Sequence, residues 1–255
     1  MERSRARRFG VKGWVCALGC LSGGLAAPRA SAQSAVEATS DPASEAAPTP
    51  IVLPETSAQP GVVIFPARGV GPHPITVLLH GMCGDPARSC GHFAEQVTRT
   101  STLICPRASL RCDGGGSSWP ESGVPEAVER AVTRVKAELP DLLDDTQGRT
   151  LIGYSMGAFR ALQIAQASSG KYPRVMLIGA RISLNQNLLM QNGVERLLLC
   201  AGNWDMTHDH MQREAERMRR AGLSARFLDL GPVGHFFTPS FANYLPSALS
   251  WLRGA

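Results

Sequence analysis

At 255 residues and 44% hydrophobic composition, the chain is long enough for one domain with a sizeable core, and its 18% charged content argues against a long disordered polymer. A net charge of +5 invites a nucleic-acid partner, but six of the 26 basic residues and only one of the 21 acidic ones lie in the first 32 positions. The rest is balanced at 20 of each sign, which leaves no excess positive charge for nucleic acid.

The N-terminus carries Arg3, Arg5, Arg7, Arg8 and Lys12, then an apolar stretch from Val15 to Ala27, then Ala30-Ser31-Ala32. That order predicts a signal peptide over residues 1–32, with Ala30 and Ala32 at the cleavage site and Gln33 as the new N-terminus. The stretch is too short and too broken by glycine to span a membrane, and no later run is long enough. Arg7-Arg8-Phe9 faintly matches a twin-arginine signal. Ala17-Leu18-Gly19-Cys20 faintly matches a lipoprotein site, which would put a lipid anchor on Cys20, but leucine stands at the wrong position for it. The expected location is secreted or periplasmic, without stable membrane insertion.

Residues 33–50 are Ala, Ser, Pro, Thr and Glu with scarcely a large apolar side chain, so they cannot offset their chain entropy and should form a flexible tether. From residue 51 to 255 the pattern is regular. Apolar runs at Gly61–Phe65, Ile75–Leu79, Thr102–Ile104, Thr150–Ile152, Val175–Ile178, Leu197–Leu199 and Arg226–Leu230 read as strands. Amphipathic segments at Val124–Leu139, Met156–Ala167, Met211–Ala221 and Phe241–Leu252 read as helices. Such alternation predicts an α/β fold, a mainly parallel central sheet with helices on both faces. Ligands then bind at the carboxyl ends of the strands, so the loops there are where chemistry belongs.

Export makes cysteines candidates for disulfides before metal ligands. Cys83, Cys90, Cys105 and Cys112 cluster, and four cysteines allow three pairings. The matching intervals make Cys83 with Cys90 and Cys105 with Cys112 the economical choice. A zinc site from these four lacks the paired C-x-x-C spacing. Cys200, at the end of an apolar run, reads as a buried, unreactive thiol.

Four loops carry unusual residues. After Thr150–Ile152 comes Gly153-Tyr154-Ser155-Met156-Gly157, directly followed by a helical pattern. Small residues flanking a serine between strand and helix suit a sharp, strained turn that exposes the hydroxyl at a helix N-terminus. A serine hydroxyl needs a base, and the base needs an orienting acid. Asp205 follows Leu197–Cys200, and His235 follows Arg226–Leu230 in Gly231-Pro232-Val233-Gly234-His235-Phe236. Asp209 as acid, or His208 or His210 as base, lie too close together at a helix start to occupy separate loops. The fourth loop, His80-Gly81-Met82-Cys83-Gly84-Asp85, follows Ile75–Leu79. With Met156 it would supply backbone N–H donors for an oxyanion, from Met82 or, as the alternative, Cys83, with His80 tying the loop down.

On His80-Gly81, Gly153 to Gly157, Asp205 and Gly234-His235, the chain from Gly61 onward resembles the α/β-hydrolase superfamily, nearest its dienelactone-hydrolase-like and phospholipase/carboxylesterase-like branches. The resemblance implies a serine hydrolase; a shallow or open pocket suits small to medium esters, so a carboxylesterase is expected, with no cofactor and no metal. A peptidase or acyltransferase using the same triad, or a non-catalytic binding protein on the scaffold, are the alternatives. The four-cysteine cluster departs from those mostly cytosolic relatives. Only Arg181 to Glu195 fills the place where many lipases of the superfamily insert a lid, so no large lid domain is expected. Trp119, Trp204 and Phe236, with Met82, are candidate walls of an open pocket, and Asp113 to Trp119 reads as a mobile loop.

Overall fold

In a computed structural model of the protein, residues 48–254 are described. The predicted signal peptide, Cys20 and the tether up to residue 47 lie outside them. The elements run β1 (Ile51–Leu53), β2 (Val62–Phe65), β3 (His73–Leu79), α1 (Pro86–Val97), β4 (Thr102–Pro106), β5 (Leu110–Arg111) and β6 (Ser117–Ser118). They continue with α2 (Val124–Glu138), β7 (Leu143–Asp144), β8 (Thr150–Tyr154), α3 (Met156–Ala165), β9 (Arg174–Ile178) and α4 (Gln186–Gln191). The last are β10 (Arg196–Ala201), α5 (His208–Arg220), β11 (Ser224–Asp229) and α6 (Phe241–Arg253).

The main sheet has the order β1-β2-β4-β3-β8-β9-β10-β11, with β7 beside the start of β3. β2 pairs antiparallel with both β1 and β4, and from β4 to β11 every pairing is parallel. Each apolar run predicted as a strand lies within or overlaps one of these strands. Side chains alternate between two cores: along β9, Val175 and Leu177 join one, Met176 and Ile178 the other. The first core is closed by α2, α3, α4 and α5 through Val128, Ala161, Leu189 and Met211; the second by α1 and α6 through Phe93 and Leu245. Burial on both faces explains why these strands read as unbroken apolar runs. At roughly 1.5–3 kcal/mol per fully buried aliphatic side chain, β3, β8, β9 and β10 form the rigid floor of the molecule.

The chain winds from β3 through α1 to β4 on one side, and from β8 through α3 to β9 on the other. Where the winding reverses, the carboxyl ends of β3 and β8 open a crevice. α1 is launched from that edge by its N-cap, the Asp85 carboxylate accepting from the Arg88 amide at 2.9 Å, with Pro86 in the first turn.

The disulfides correct the pairing that the sequence intervals favoured. Cys83 bonds Cys112 and Cys90 bonds Cys105, with Cα–Cα distances of 5.7 and 6.5 Å. Cys90 faces inward from α1 and meets Cys105 on the underlying β4, both buried. Cys83 lies outside that helix on the exposed loop after β3, where the short β5–β6 hairpin brings Cys112 to it. Cys200 is a free, fully buried thiol, and burial alone pushes its pKa up. No helix of the described residues is long and apolar enough to cross a membrane.

Candidate active site

Ser155 stands between β8 and α3 with φ 53° and ψ −119°, and its amide donates to Ile178 O at 2.8 Å. Among the described residues, the non-glycine residues with positive φ are Ser155 and Cys83. Each costs on the order of 1–3 kcal/mol of backbone strain, and both flank the same crevice. The turn is possible because Gly157 has no side chain: a Cβ there would lie 2.1 Å from Leu79 O and 2.5 Å from His80 O. The first turn of α3 therefore packs directly on the backbone at the end of β3. Its leading amides, Met156 first, have no intrahelical acceptor.

His235 reaches this serine from the loop after β11. Its Nε2 lies 2.9 Å from Ser155 Oγ, and its Nδ1 lies 2.7 Å from Asp205 Oδ2. Asp205 is buried just past β10, and its Oδ1 accepts from the Thr207 amide and hydroxyl, both at 2.9 Å. Burial raises the pKa of this carboxyl, but the bonds from Thr207 and His235 outweigh it and hold the group below the ordinary aspartate value. With both oxygens accepting, Asp205 stays ionised and keeps the Nδ1 proton directed at itself, so Nε2 is free to accept from the serine.

Two residues that the sequence reading did not single out hold this arrangement. Gly179, immediately after β9, has φ 60°, and a Cβ there would come within 3.0 Å of the His235 ring and 3.2 Å of Asp205 Oδ2. A glycine directly after an apolar strand, at the reactive edge of the sheet, was the available signal. Tyr154 donates its hydroxyl hydrogen to His235 O at 2.8 Å and stacks its ring on the imidazole with centroids 5.3 Å apart. Burial, helped by Asp205, pushes its pKa up to about 12, so it remains a neutral donor.

The loop after β3 is pinned by the β5–β6 hairpin. Ser118 Oγ accepts the Cys83 amide at 2.9 Å, the Ser117 amide donates to Gly84 O at 3.0 Å, and the Cys83–Cys112 bond ties the two segments covalently. Because the Cys83 amide is engaged, it is not available to a ligand; the Met82 amide has no acceptor among the described residues. His80 is buried beneath the loop, Nδ1 donating to Gly81 O at 2.8 Å and Nε2 accepting from the Ala108 amide at 3.4 Å. Burial lowers its pKa, which agrees with a neutral ring in a structural role. The segment from Asp113 to Trp119, read from sequence as mobile, is thus bonded into the loop at both ends.

A cleft of about 360 Å³ opens at the serine, lined by Met82, Ser155, Met156, Phe159 and Arg160. Phe159 and Arg160 were legible only as helix surface. Trp119 is not one of its walls: the ring is 3% exposed, its Nε1 donates to His80 O at 2.9 Å, and it packs on the His80 imidazole at 5.0 Å. It is a core residue that supports the loop from below. Trp204 and Phe236 are 72% and 60% exposed beside Asp205 and His235. The alternative acid and bases are engaged elsewhere. Asp209 bonds His208 at 3.0 Å, and His210 contacts Ile182 O. No group of three or more His, Cys, Asp or Glu that could hold a metal occurs among the described residues.

No protein-family model matches the sequence, and no curated protein matches it. Solved structures do. The fluorophosphonate-binding serine hydrolase F of Staphylococcus aureus, solved with substrate bound, matches with a TM-score of 0.62 at 15% identity, over 80% of this chain and 98% of its own. Fungal esterases from Rhizomucor miehei match with a TM-score of 0.61 at 14% identity, over 82% of this chain and 84% of theirs. The chain has the α/β-hydrolase fold. Acyl-protein thioesterase 2 of Zea mays is a third neighbour, with a TM-score of 0.54 at 21% identity, over 75% of this chain and 98% of its own. In this α/β-hydrolase fold the segment between β9 and β10 carries only the short α4, and the described residues hold no large lid domain.

Proposed function

We propose that the protein is an exported serine esterase that cleaves small to medium carboxylic esters through an acyl-enzyme on Ser155. The observation that carries the reading is the continuous hydrogen-bonded chain from Ser155 Oγ through His235 to Asp205, at 2.9 and 2.7 Å. His235 Nε2 takes the hydroxyl proton as Ser155 Oγ attacks the ester carbonyl, and Asp205 stabilises the imidazolium that forms. The oxyanion is held by the Met82 and Met156 amides, both without an internal acceptor and both from residues that line the cleft; donors aimed at a developing oxyanion contribute several kcal/mol. The imidazolium returns its proton to the leaving alcohol, and water, activated by the same histidine, releases the acid. Neighbours that include esterases and a serine hydrolase support the ester chemistry, and two disulfides fit the oxidising compartment implied by the N-terminal segment.

Labelling with a fluorophosphonate probe tests the nucleophile. Wild type should label and Ser155→Ala should not, while p-nitrophenyl esters should turn over far faster than peptide anilides. An unlabelled wild-type protein would sink the proposal. Ester turnover that survives in Ser155→Ala would move the nucleophile elsewhere.

A further inference from the structure

The cleft beside Ser155 has one charged wall. Met82, Met156 and Phe159 make it apolar, and Arg160 closes it on the same face of α3 as Met156 and Phe159. The guanidinium is permanently charged and offers five donors. Only Nη1 is used: it donates to Glu121 O at 3.5 Å and to Gln163 Oε1 at 3.2 Å, both neutral acceptors. Nε is buried without a hydrogen-bond partner, and Nη2 has none among the described residues. No carboxylate of the described residues lies within ion-pair distance.

Arg134, Arg149, Arg217, Arg219 and Arg220 each pair with a carboxylate, whereas Arg160 stands at the cleft without one. An arginine on a helix surface is ordinarily a solvated charge. Here the charge stands beside the apolar side chains of Met82, Met156 and Phe159 that line the cleft. The cleft thus offers a cation without a carboxylate partner, its Nη2 donors unengaged among the described residues, to whatever occupies the space in front of Ser155.

We propose that Arg160 is a specificity-determining residue, and that the preferred substrates are esters bearing an anionic group, such as a carboxylate, on the part of the molecule that lies along α3. This rests on the esterase reading above and names its substrate class. Arg160 follows Ser155 by five residues, about 7.5 Å of helix rise at 1.5 Å per residue. The anion should therefore sit roughly that far from the scissile carbonyl, less the reach of the arginine.

The test uses two ester pairs, one with a carboxylate on the acyl chain and one with it on the alcohol, each against its own methyl-capped neutral form. For at least one pair, wild type should favour the anionic ester by about tenfold or more in kcat/KM, the size expected of one hydrogen-bonded charge pair. The ratio should fall toward one in Arg160→Gln, be partly retained in Arg160→Lys, and invert in Arg160→Glu. Calorimetric binding of the same pairs to Ser155→Ala reads recognition without turnover. Equal binding of anionic and neutral forms there, or a wild-type ratio unchanged in Arg160→Gln, overturns the proposal. Absence of any ester turnover and of fluorophosphonate labelling in wild type would instead overturn the esterase reading, and the binding arm would still decide the role of Arg160.

Discussion

The two disulfides have nearly equal predicted effects on stability and very different ones on the site. Cys83 and Cys112 are 29 residues apart, Cys90 and Cys105 are 15. The loop-closure entropy of the unfolded chain assigns them about 3.6 and 3.0 kcal/mol respectively. At roughly 2–4 °C per kcal/mol for a domain of this size, each double Cys→Ser variant should melt about 6–14 °C below wild type. Cys90 and Cys105 join α1 to β4 inside the core, whereas Cys83 adjoins Met82 and holds φ at 51° with its amide on Ser118 Oγ. Cutting the Cys83–Cys112 bond lets that strained residue relax and takes the Met82 amide with it. A displacement near 1 Å at a reacting centre costs about a hundredfold in rate, so Cys83→Ser/Cys112→Ser should lose roughly 10- to 100-fold in kcat. Cys90→Ser/Cys105→Ser should stay within about threefold of wild type. Melting curves by circular dichroism and ester kinetics well below the lower melting point make the comparison. Equal kcat losses in the two variants, or wild-type kcat in Cys83→Ser/Cys112→Ser, would refute the reasoning.

Gly157→Ala forces a Cβ to within 2.1 Å of Leu79 O, so the start of α3 must move by about 1 Å; melting temperature and fluorophosphonate labelling rate should both drop, the latter by about a hundredfold. Tyr154→Phe removes the bond to His235 O and should cost about 1 kcal/mol in urea unfolding, with a several-fold lower kcat; unchanged values would assign the hydroxyl no role. Asp205 has a folded pKa below its ordinary 3.8, so it contributes stability that is present above that value and lost as pH falls through the folded pKa. The stability difference between wild type and Asp205→Asn should therefore be constant near neutrality and shrink below about pH 4. A difference that does not change with pH would mean that the carboxylate gains nothing from Thr207 and His235.

What the sequence determined by itself follows from local physics. Apolar runs that must be buried on both faces announced β3, β8, β9 and β10, and the 3.6-residue period announced α2, α3, α5 and α6. The candidate triad was legible because Ser155 and Asp205 stand in loops after β8 and β10, His235 stands in the loop after the run that forms β11, and a parallel sheet brings such loops to one edge whatever the details of packing. α1 was not read as a helix, because its apolar positions are Cys90, Phe93, Ala94 and Val97 among polar neighbours, a face that only the sheet completes. The cysteine pairing was beyond the sequence for a related reason. Matching intervals favoured neighbours along the chain, but a disulfide needs Cα atoms within about 7 Å, and only the placing of β4 under α1 and of the β5–β6 hairpin under the loop after β3 decides which are. Trp119 and Arg160 show the same limit from opposite sides. One aromatic looked like a pocket wall and is core, while one arginine looked like helix surface and lines the cleft. Residue type and period state what a side chain prefers. Which preference is met depends on what the rest of the chain brings against it, and that is decided only by the tertiary fold.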